Sequence, residues 1–592
     1  MARRARGPGG AAVSLAIRGG TVVDGTGAPA READVLIEGE KIVGVGEGLG
    51  ATAETVVDAT GLLVTPGFID LHTHYDAQLF WDPNASPSPL HGVTTVLGGN
   101  CGFSLAPCAP EHVDYLSRMM ARVEGMPLAA LQTGVPWDWT SFGQWLSRLD
   151  GRVAVNAGFL VGHSTLRRVV MGDRAVGSAA TADDVAAMVA ALHAALDEGA
   201  LGFSTSQVHT HNDGDGSPVP SRAASRSELE SLAAVVRAHE GTTVELIVAG
   251  CLNGFSEEEI DLLSSISLLA DRPVNWNVLG VSAMNPGNAW SQLAASNRAE
   301  ERGATIVALT LPHTMQVRLS FEHGAILDGL PGWREVFALP IDARMKALSD
   351  PEVRRRLDAG SQSDEAGILR HLANWERLVI DETFDPANAA YEGRSVGEVA
   401  RERGVDPFDA LLDIVVADRL RTGLRPPIGE SEEDWVLRSE AWMDPRTIVG
   451  GSDAGAHLDT MCGAVYSTSM LGDGVRKRAL LSWEDAIRQL TDIPARLYGL
   501  RGRGRLVAGA WADVVVLNPA SIGPGVVRTR DDLPGGASRL YADAEGIEHV
   551  FVNGTEIARA GAFTGALPGR VLRSGTDTDT VRAGSDWASA AR

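Results

Sequence analysis

The chain has 592 residues, with 52 basic against 76 acidic side chains, a net charge of −24 and 44% hydrophobic residues. That charge excludes nucleic acid and anionic membrane surfaces as partners. Four cysteines in so long a chain are no disulfide framework, and three lysines, Lys41, Lys346 and Lys477, leave Schiff-base and phosphate-loop chemistry almost no residues to use. The apolar run at 11–17 is short and stops at Arg18, and no stretch approaches the roughly 20 apolar residues of a membrane helix. A soluble, cytoplasmic protein is expected.

In chain order, residues 1–61 predict short strands at 14–18, 20–23, 33–38 and 41–45, broken at Asp24-Gly25 and Glu38-Gly39. Strand and helix patterns then alternate. Strands are expected at 67–71, 93–97, 153–161, 201–205, 243–248, 273–279, 304–309 and 447–449, with helices opening at Thr181, Ser225 and Ser256. Repeated βα units predict an α/β fold, a (β/α)8 barrel over residues 62–502. Two stretches exceed what a barrel needs. Residues 106–150 read as helical decoration. Residues 311–446 carry helices at 350–358, 366–376 and 396–402, and are expected to cap the barrel mouth or mediate oligomer contacts. Residues 503–572 return to β-type runs at 512–517, 549–552 and 555–558, the last two joined by the hairpin signal Asn553-Gly554. The two ends together predict a small β-sandwich, and the Ser/Thr/Asp/Gly/Ala-rich residues 573–592 a flexible tail.

The densest chemical signal is Pro66-Gly67-Phe68-Ile69-Asp70-Leu71-His72-Thr73-His74. Period-2 alternation puts both imidazoles on one face of an apolar strand, at the barrel end where inward groups surround the site. Paired imidazoles suit a divalent metal, usually zinc. A chance His-x-His on a surface loop is the bland alternative, and the apolar approach argues against it.

Further stretches carry a resemblance: 65–76; 92–107 with Asn100-Cys101-Gly102; 124–128 with 137–142; 199–205; and 450–453. With 490–496, Asn553-Gly554 and 564–573, they make residues 14–573 resemble the metal-dependent amidohydrolase superfamily, specifically its N-acyl-D-amino-acid deacylase (D-aminoacylase) group. The resemblance implies a barrel with a small β-sandwich and zinc-dependent amide hydrolysis. Two-metal amidohydrolases commonly bridge their ions with a carboxylated lysine, which strands 1–7 lack here, since no lysine lies between Lys41 and Lys346. In the D-aminoacylases a cysteine after the second strand takes that role, which the resemblance assigns to Cys101. A buried small hydrophobe is the other reading of a lone cysteine, and the one given to Cys108, Cys251 and Cys462. Asp453 matches the aspartate after the last strand, a group that touches the metal and acts as general base. Its alternative is a cap of the following turn.

The sequence departs from the group where histidines follow strands 5 and 6. Glu245 stands about where the first would be, and Asn277 or Val278 where the second would be. A carboxylate can replace imidazole on zinc, Asn is a poor ligand and Val is none. The expected set is His72, His74, Cys101 and Asp453 around one zinc, with Glu245 as an extra ligand and a second ion left open. Four protein ligands would close the site like a structural one unless one is loose. His163 reads equally as a catalytic group polarising the substrate carbonyl and as a loop tie. His457 and His313 are substrate-contact candidates, whereas His209 and His211, after strand 4, read as solvated residues of a Gly-rich loop, with a supply of the missing imidazoles as the alternative. Arg222 or Arg318 could pair with a substrate carboxylate in place of the group's absent lysine.

The expected function is zinc-dependent hydrolysis of a non-peptide C–N amide bond. The default is N-acyl-D-amino acid deacylation by hydroxide formed on the metal, with Asp453 as general base. The alternatives are another small or cyclic amide, and a barrel that has lost catalysis and kept a binding role. A small-molecule amide is the expected partner, with no nucleic acid and no membrane, and a homo-oligomer is left open.

Overall fold

The computed structural model describes residues 13–49, 52–324, 326–426 and 430–587. Through the middle of the chain run parallel strands labelled β1 (Phe68–Asp70), β2 (Val93–Gly98), β3 (Asn156–Phe159, resumed at Val161–Gly162), β4 (Gly202–Ser206), β5 (Thr243–Ile247), β6 (Val274–Leu279), β7 (Ile306–Thr310) and β8 (Thr447–Val449). Spatial order follows chain order. One ladder is β1-β2-β3, and a second runs from the resumed part of β3 through β4, β5, β6 and β7 to β8. Past the ends of β1 and β8, Thr73 pairs in parallel with Ala454.

Helices Ala182–Asp197, Arg226–Arg237, Glu257–Ala270 and Pro286–Glu300 connect successive strands from β3 to β7. Their starts are set by side-chain caps. Thr181 with Asp184 and Ser256 with Glu259 form capping boxes, and Ser225 Oγ accepts the Glu228 amide. The strands are buried on both faces, as βα units require.

Strands from both ends of the chain share one nine-stranded sheet. The expected strands 14–18 and 20–23 are a single strand, Val13–Val22, whose register shifts between Ile17 and Gly20. Leu63–Pro66 pairs antiparallel with Val514–Leu517, and Asn553-Gly554 turns Ile547–Val552 into Thr555–Arg559 with both turn residues at positive φ.

The 106–150 stretch forms helices Val113–Val123, Leu128–Gly134 and Phe142–Leu149. Residues 311–446 gather an apolar cluster of their own around Phe321, Trp333, Trp375 and Phe408. The helix expected at 366–376 is absent: 3-10 turns stand there, split at Gly367 (φ 55°). The tail expected to be loose from residue 573 is tied down as far as 587. Asp579 N donates to Gly499 O at 2.7 Å, Thr578 Oγ1 to Gly241 O at 2.7 Å, Arg573 pairs with Asp150, and Trp587 packs into the cluster containing Ile69 and Leu71. Composition misled there because small polar residues also make good turn-and-cap partners. Residues 1–12 and 588–592 lie outside the described residues. No helix among the described residues is long and apolar enough to cross a membrane.

Candidate metal centre

The loops after β1, β2 and β8 converge. Thr73 donates to Leu97 O from both its amide and its hydroxyl, at 2.9 Å each, so it faces β2 while His72 and His74 project the other way. Asn100 Nδ2 donates to Leu97 O (2.9 Å) and Thr73 O (3.2 Å), pinning the turn that presents Cys101. Next to it Gly102 holds φ 79°, and a Cβ there would stand 3.0 Å from Ser206 N. Asp453 N donates to His72 O (3.1 Å) and His74 N to Ala454 O (2.7 Å), which locks the β8 loop against the histidines. Cys101, Asp453 and His457 all hold a left-handed backbone, φ 55°, 58° and 50°. Such strain, of order 1–3 kcal/mol per residue, gathers at functional sites.

Donor atoms form a chain. His72 Nε2 lies 3.5 Å from Cys101 Sγ and 3.6 Å from Asp453 Oδ1. His74 Nε2 lies 3.1 Å from the same Oδ1 and 3.4 Å from Glu124 Oε2. Tetrahedral zinc bonded at about 2.0–2.3 Å sets its ligands about 3.3–3.6 Å apart, close to these spacings. Two trios have ligand atoms all within 4.8 Å: His72, His74 and Cys101, and His74, Glu124 and Asp453.

Charge points the same way. Asp70, Asp76, Glu124 and Glu245 are buried here, and among the described residues no arginine or lysine forms an ion pair with them or with Asp453. Burial pushes the Asp70 carboxyl up to about 7, Asp76 to about 6 and Glu245 to about 8. Burial alone would lower His74, but the Glu124, Asp453 and Asp76 carboxylates raise it to about 10. Burial and the charge of His74 push His72 down to about 4. Burial would likewise raise Asp453, yet the His74 hydrogen bond and the charges of His74, His457 and His72 hold it below the usual range. His72 Nδ1 and His74 Nδ1 are buried with no hydrogen-bond partner, while His74 Nε2 faces only carboxylates, Asp453 and Glu124. A divalent cation fits this donor set in spacing, chemistry and charge.

A cavity of about 450 Å³ is lined by Asp453, His313, Arg318 and apolar groups including Leu311, Val317, Trp435 and Val526.

Residues 55–558 match the model of the amidohydrolase family. The chain belongs to that family. It is similar to a D-aminoacylase of Alcaligenes xylosoxydans xylosoxydans, 30% identical over 570 residues that cover 94% of this chain and 97% of the relative. It is also similar to an N-acyl-D-aspartate deacylase of the same organism, 30% identical over 563 residues, covering 94% and 95%. Among solved structures, the N-acyl-D-glutamate deacylase from Bordetella bronchiseptica, complexed with zinc and a phosphonate inhibitor, aligns with TM-score 0.62 and 26% identity over 95% of this chain and 100% of that one.

In this amidohydrolase, four of the expected ligands, His72, His74, Cys101 and Asp453, come together. Glu245 stands one layer behind and joins neither trio. Its Oε2 accepts the Cys101 amide at 2.8 Å and its Oε1 accepts the Asn277 side-chain amide, so it braces the Cys101 turn instead of facing the ligands. His457 Nε2 lies 3.6 Å from Asp453 Oδ2. His313 Nδ1 donates to Thr314 O at 2.9 Å, which leaves Nε2 bare at the cavity wall.

His163 is not placed for catalysis. It opens helix His163–Met171 and is fully buried, 2.9 Å from Thr205 Oγ1 through Nδ1 and 2.9 Å from Glu228 Oε1 through Nε2. Ser204 and Ser206 of β4 face the Cys101 turn and His211, so Thr205 between them faces the helix layer and takes His163 with it. His209 is exposed as expected, but His211 is not a solvated loop residue. It bonds Ser206 Oγ at 2.8 Å, and burial with the charges of His457 and His74 pushes it down to about 3. Of the two arginines weighed, Arg318 lines the cavity but pairs with Glu382 and Asp381, and Arg222 is held by His211 O and Asn212. Glu124 was missed. It comes from the 106–150 stretch instead of a strand end, where ligands are sought. The signal available was its place in the motif at 124–128.

Proposed function

We propose that this amidohydrolase removes the acyl group from N-acyl-D-amino acids, using a zinc ion held by His72, His74, Cys101 and Asp453. The converging donor chain at tetrahedral spacing, opening on a cavity, carries the reading, and the deacylase relatives supply the substrate class. When bound, zinc polarises the amide carbonyl and acidifies water. Asp453 is the one carboxylate of the group that its neighbours keep ionised, so it is open to take a proton from the attacking water, which bound zinc would make acidic enough to give it up, and to pass it to the leaving nitrogen. Its Oδ2 faces His457, which steadies the charged form and orients it toward the cavity. The bare Nε2 of His313 accepts the substrate amide N–H, and the apolar wall around Trp435 excludes water from the scissile bond.

On architecture, the two parallel ladders support one (β/α)8 barrel, closed between β1 and β8 where Thr73 meets Ala454, over residues 62–502. Residues 1–61 and 503–572 support a β-sandwich beside it, with residues 311–446 as the cap. Four unpaired cysteines support a cytoplasmic setting.

The test is a panel of N-acyl-D- and N-acyl-L-amino acids assayed on zinc-loaded wild type and Asp453→Asn. At least one D-substrate should be cleaved by wild type and spared by the variant. Cleavage of none, or of L-forms as fast as D-forms, ends the assignment.

A further inference from the structure

On β5 and β6, Glu245 and Asn277 bond each other, and Glu245 also takes the Cys101 amide, so neither presents a donor to His72 and His74. The barrel therefore leaves the centre short of donors on the β5–β6 side. A donor arrives from elsewhere. Glu124 caps the C-terminus of helix Val113–Val123, and its Oε2 stands 3.4 Å from His74 Nε2. Its side chain is buried, 4% exposed. The backbone around it is fixed from two directions: Glu124 N donates to Met120 O at 3.0 Å, and Glu124 O accepts His457 N at 2.5 Å. Gly125 follows at φ 55°, so close to the β8 loop that a Cβ would stand 3.0 Å from His457 Cα. The fixed backbone thus presents the carboxylate to a buried imidazole nitrogen that it shares with Asp453 Oδ1.

We propose that Glu124 is a ligand of the metal centre, so that the cation is bound between the barrel and the 106–150 insertion. The inference rests on the metal-dependent reading above. With His74 and Asp453 it completes a His-Glu-Asp trio that shares His74 with the trio of His72, His74 and Cys101. Loading with metal then staples the insertion helices to the loops after β1 and β8, and stripping releases them.

Zinc affinity is measured by competition against a chromophoric chelator for wild type, Glu124→Gln, Glu124→Asp and, as a control, Glu111→Gln, whose side chain is exposed on the same insertion. Amide hydrogen exchange over residues 113–134 is followed with and without zinc. E124Q should bind zinc at least about tenfold more weakly, with E124D between it and wild type and E111Q equal to wild type. Zinc should slow exchange of the insertion in wild type but not in E124Q. E124Q within twofold of wild type, or exchange unaffected by zinc in wild type, overturns the proposal. If E124Q does not fold, E124D decides, because a carboxylate withdrawn by one methylene must weaken binding if it is a ligand. A wild type that binds no zinc sinks the metal reading itself. A wild type that binds zinc but cleaves no N-acyl-D-amino acid leaves Glu124 standing and removes only the substrate assignment.

Discussion

Glu228→Gln should cost about 3–5 kcal/mol of stability while leaving the chemistry of the folded enzyme intact. Glu228 accepts Arg167 Nη1 with both oxygens, at 2.5 and 2.6 Å, and lies 2.9 Å from His163 Nε2, all three side chains fully buried between β4 and helix Arg226–Arg237. A carboxylate only accepts, so His163 carries its proton on Nε2 and takes the Thr205 hydroxyl on Nδ1. Glutamine keeps the shape and removes the charge. The Arg167 guanidinium is then left buried against the carbonyls of Ser178 and Ala175. Burial pushes the Glu228 carboxyl up, but His163 and Arg167 outweigh it, so the folded value lies below the ordinary 4.5. Its stabilisation is therefore complete above about pH 4.5 and is lost as pH falls through the lower folded value. Denaturant midpoints of wild type and E228Q at pH 7 and in acid measure both the gap and its narrowing. A gap under about 0.5 kcal/mol at pH 7 refutes the reasoning. In the same series His163→Asn should change kcat by less than about twofold. A loss of about a hundredfold, the range of a lost general acid or base, would return His163 to catalysis.

Asp453→Asn should lower kcat by about 10²–10⁴-fold with little change in KM, because the amide cannot relay a proton; a kcat within tenfold of wild type argues against that role. Cys101→Ser should abolish the sulfur-to-cobalt charge-transfer absorption of the Co(II)-loaded protein, and a band that survives means the thiolate is not a ligand. His91 is held neutral, pushed down to about 4 by burial, with its ring nitrogens on Thr468 Oγ1 and Ala542 O. Because its folded value lies below the ordinary one, its contribution is whole above about pH 6.5 and falls by about 3 kcal/mol as pH drops toward 4. His91→Gln should flatten that part of the pH–stability curve; an unchanged slope assigns the acid sensitivity elsewhere.

Periodicity made β1 and its two histidines legible, because a two-residue alternation fixes which side chains share a face. Capped helices were legible too, since Thr181, Ser225 and Ser256 are local signals read by the backbone next to them. Cys101 and Asp453 needed the family resemblance, as nothing in a lone cysteine or aspartate tells a ligand from a core residue or a turn cap. His163 misled because its place after a strand gives no direction: it opens a helix and turns outward. Glu124 was hidden for the opposite reason, lying in an insertion some 50 residues past the histidines it meets. The Gly- and Asp-rich loop around His211 points to solvent, and no local pattern announces that Phe103 and Ser206 cover it.

The pairing of Leu63–Pro66 with Val514–Leu517 has a consequence for how the chain is made. Thr65 and Val515 stand opposite each other 450 residues apart. At about 5–20 residues per second, a ribosome needs roughly 20–90 s to produce the second strand after the first has emerged. For that time the edge leading into His72 and His74 is a bare row of amides and carbonyls, open to chaperones and to other nascent chains. A chain cut before Val514 never covers it, so the last strands synthesised decide whether the first can settle.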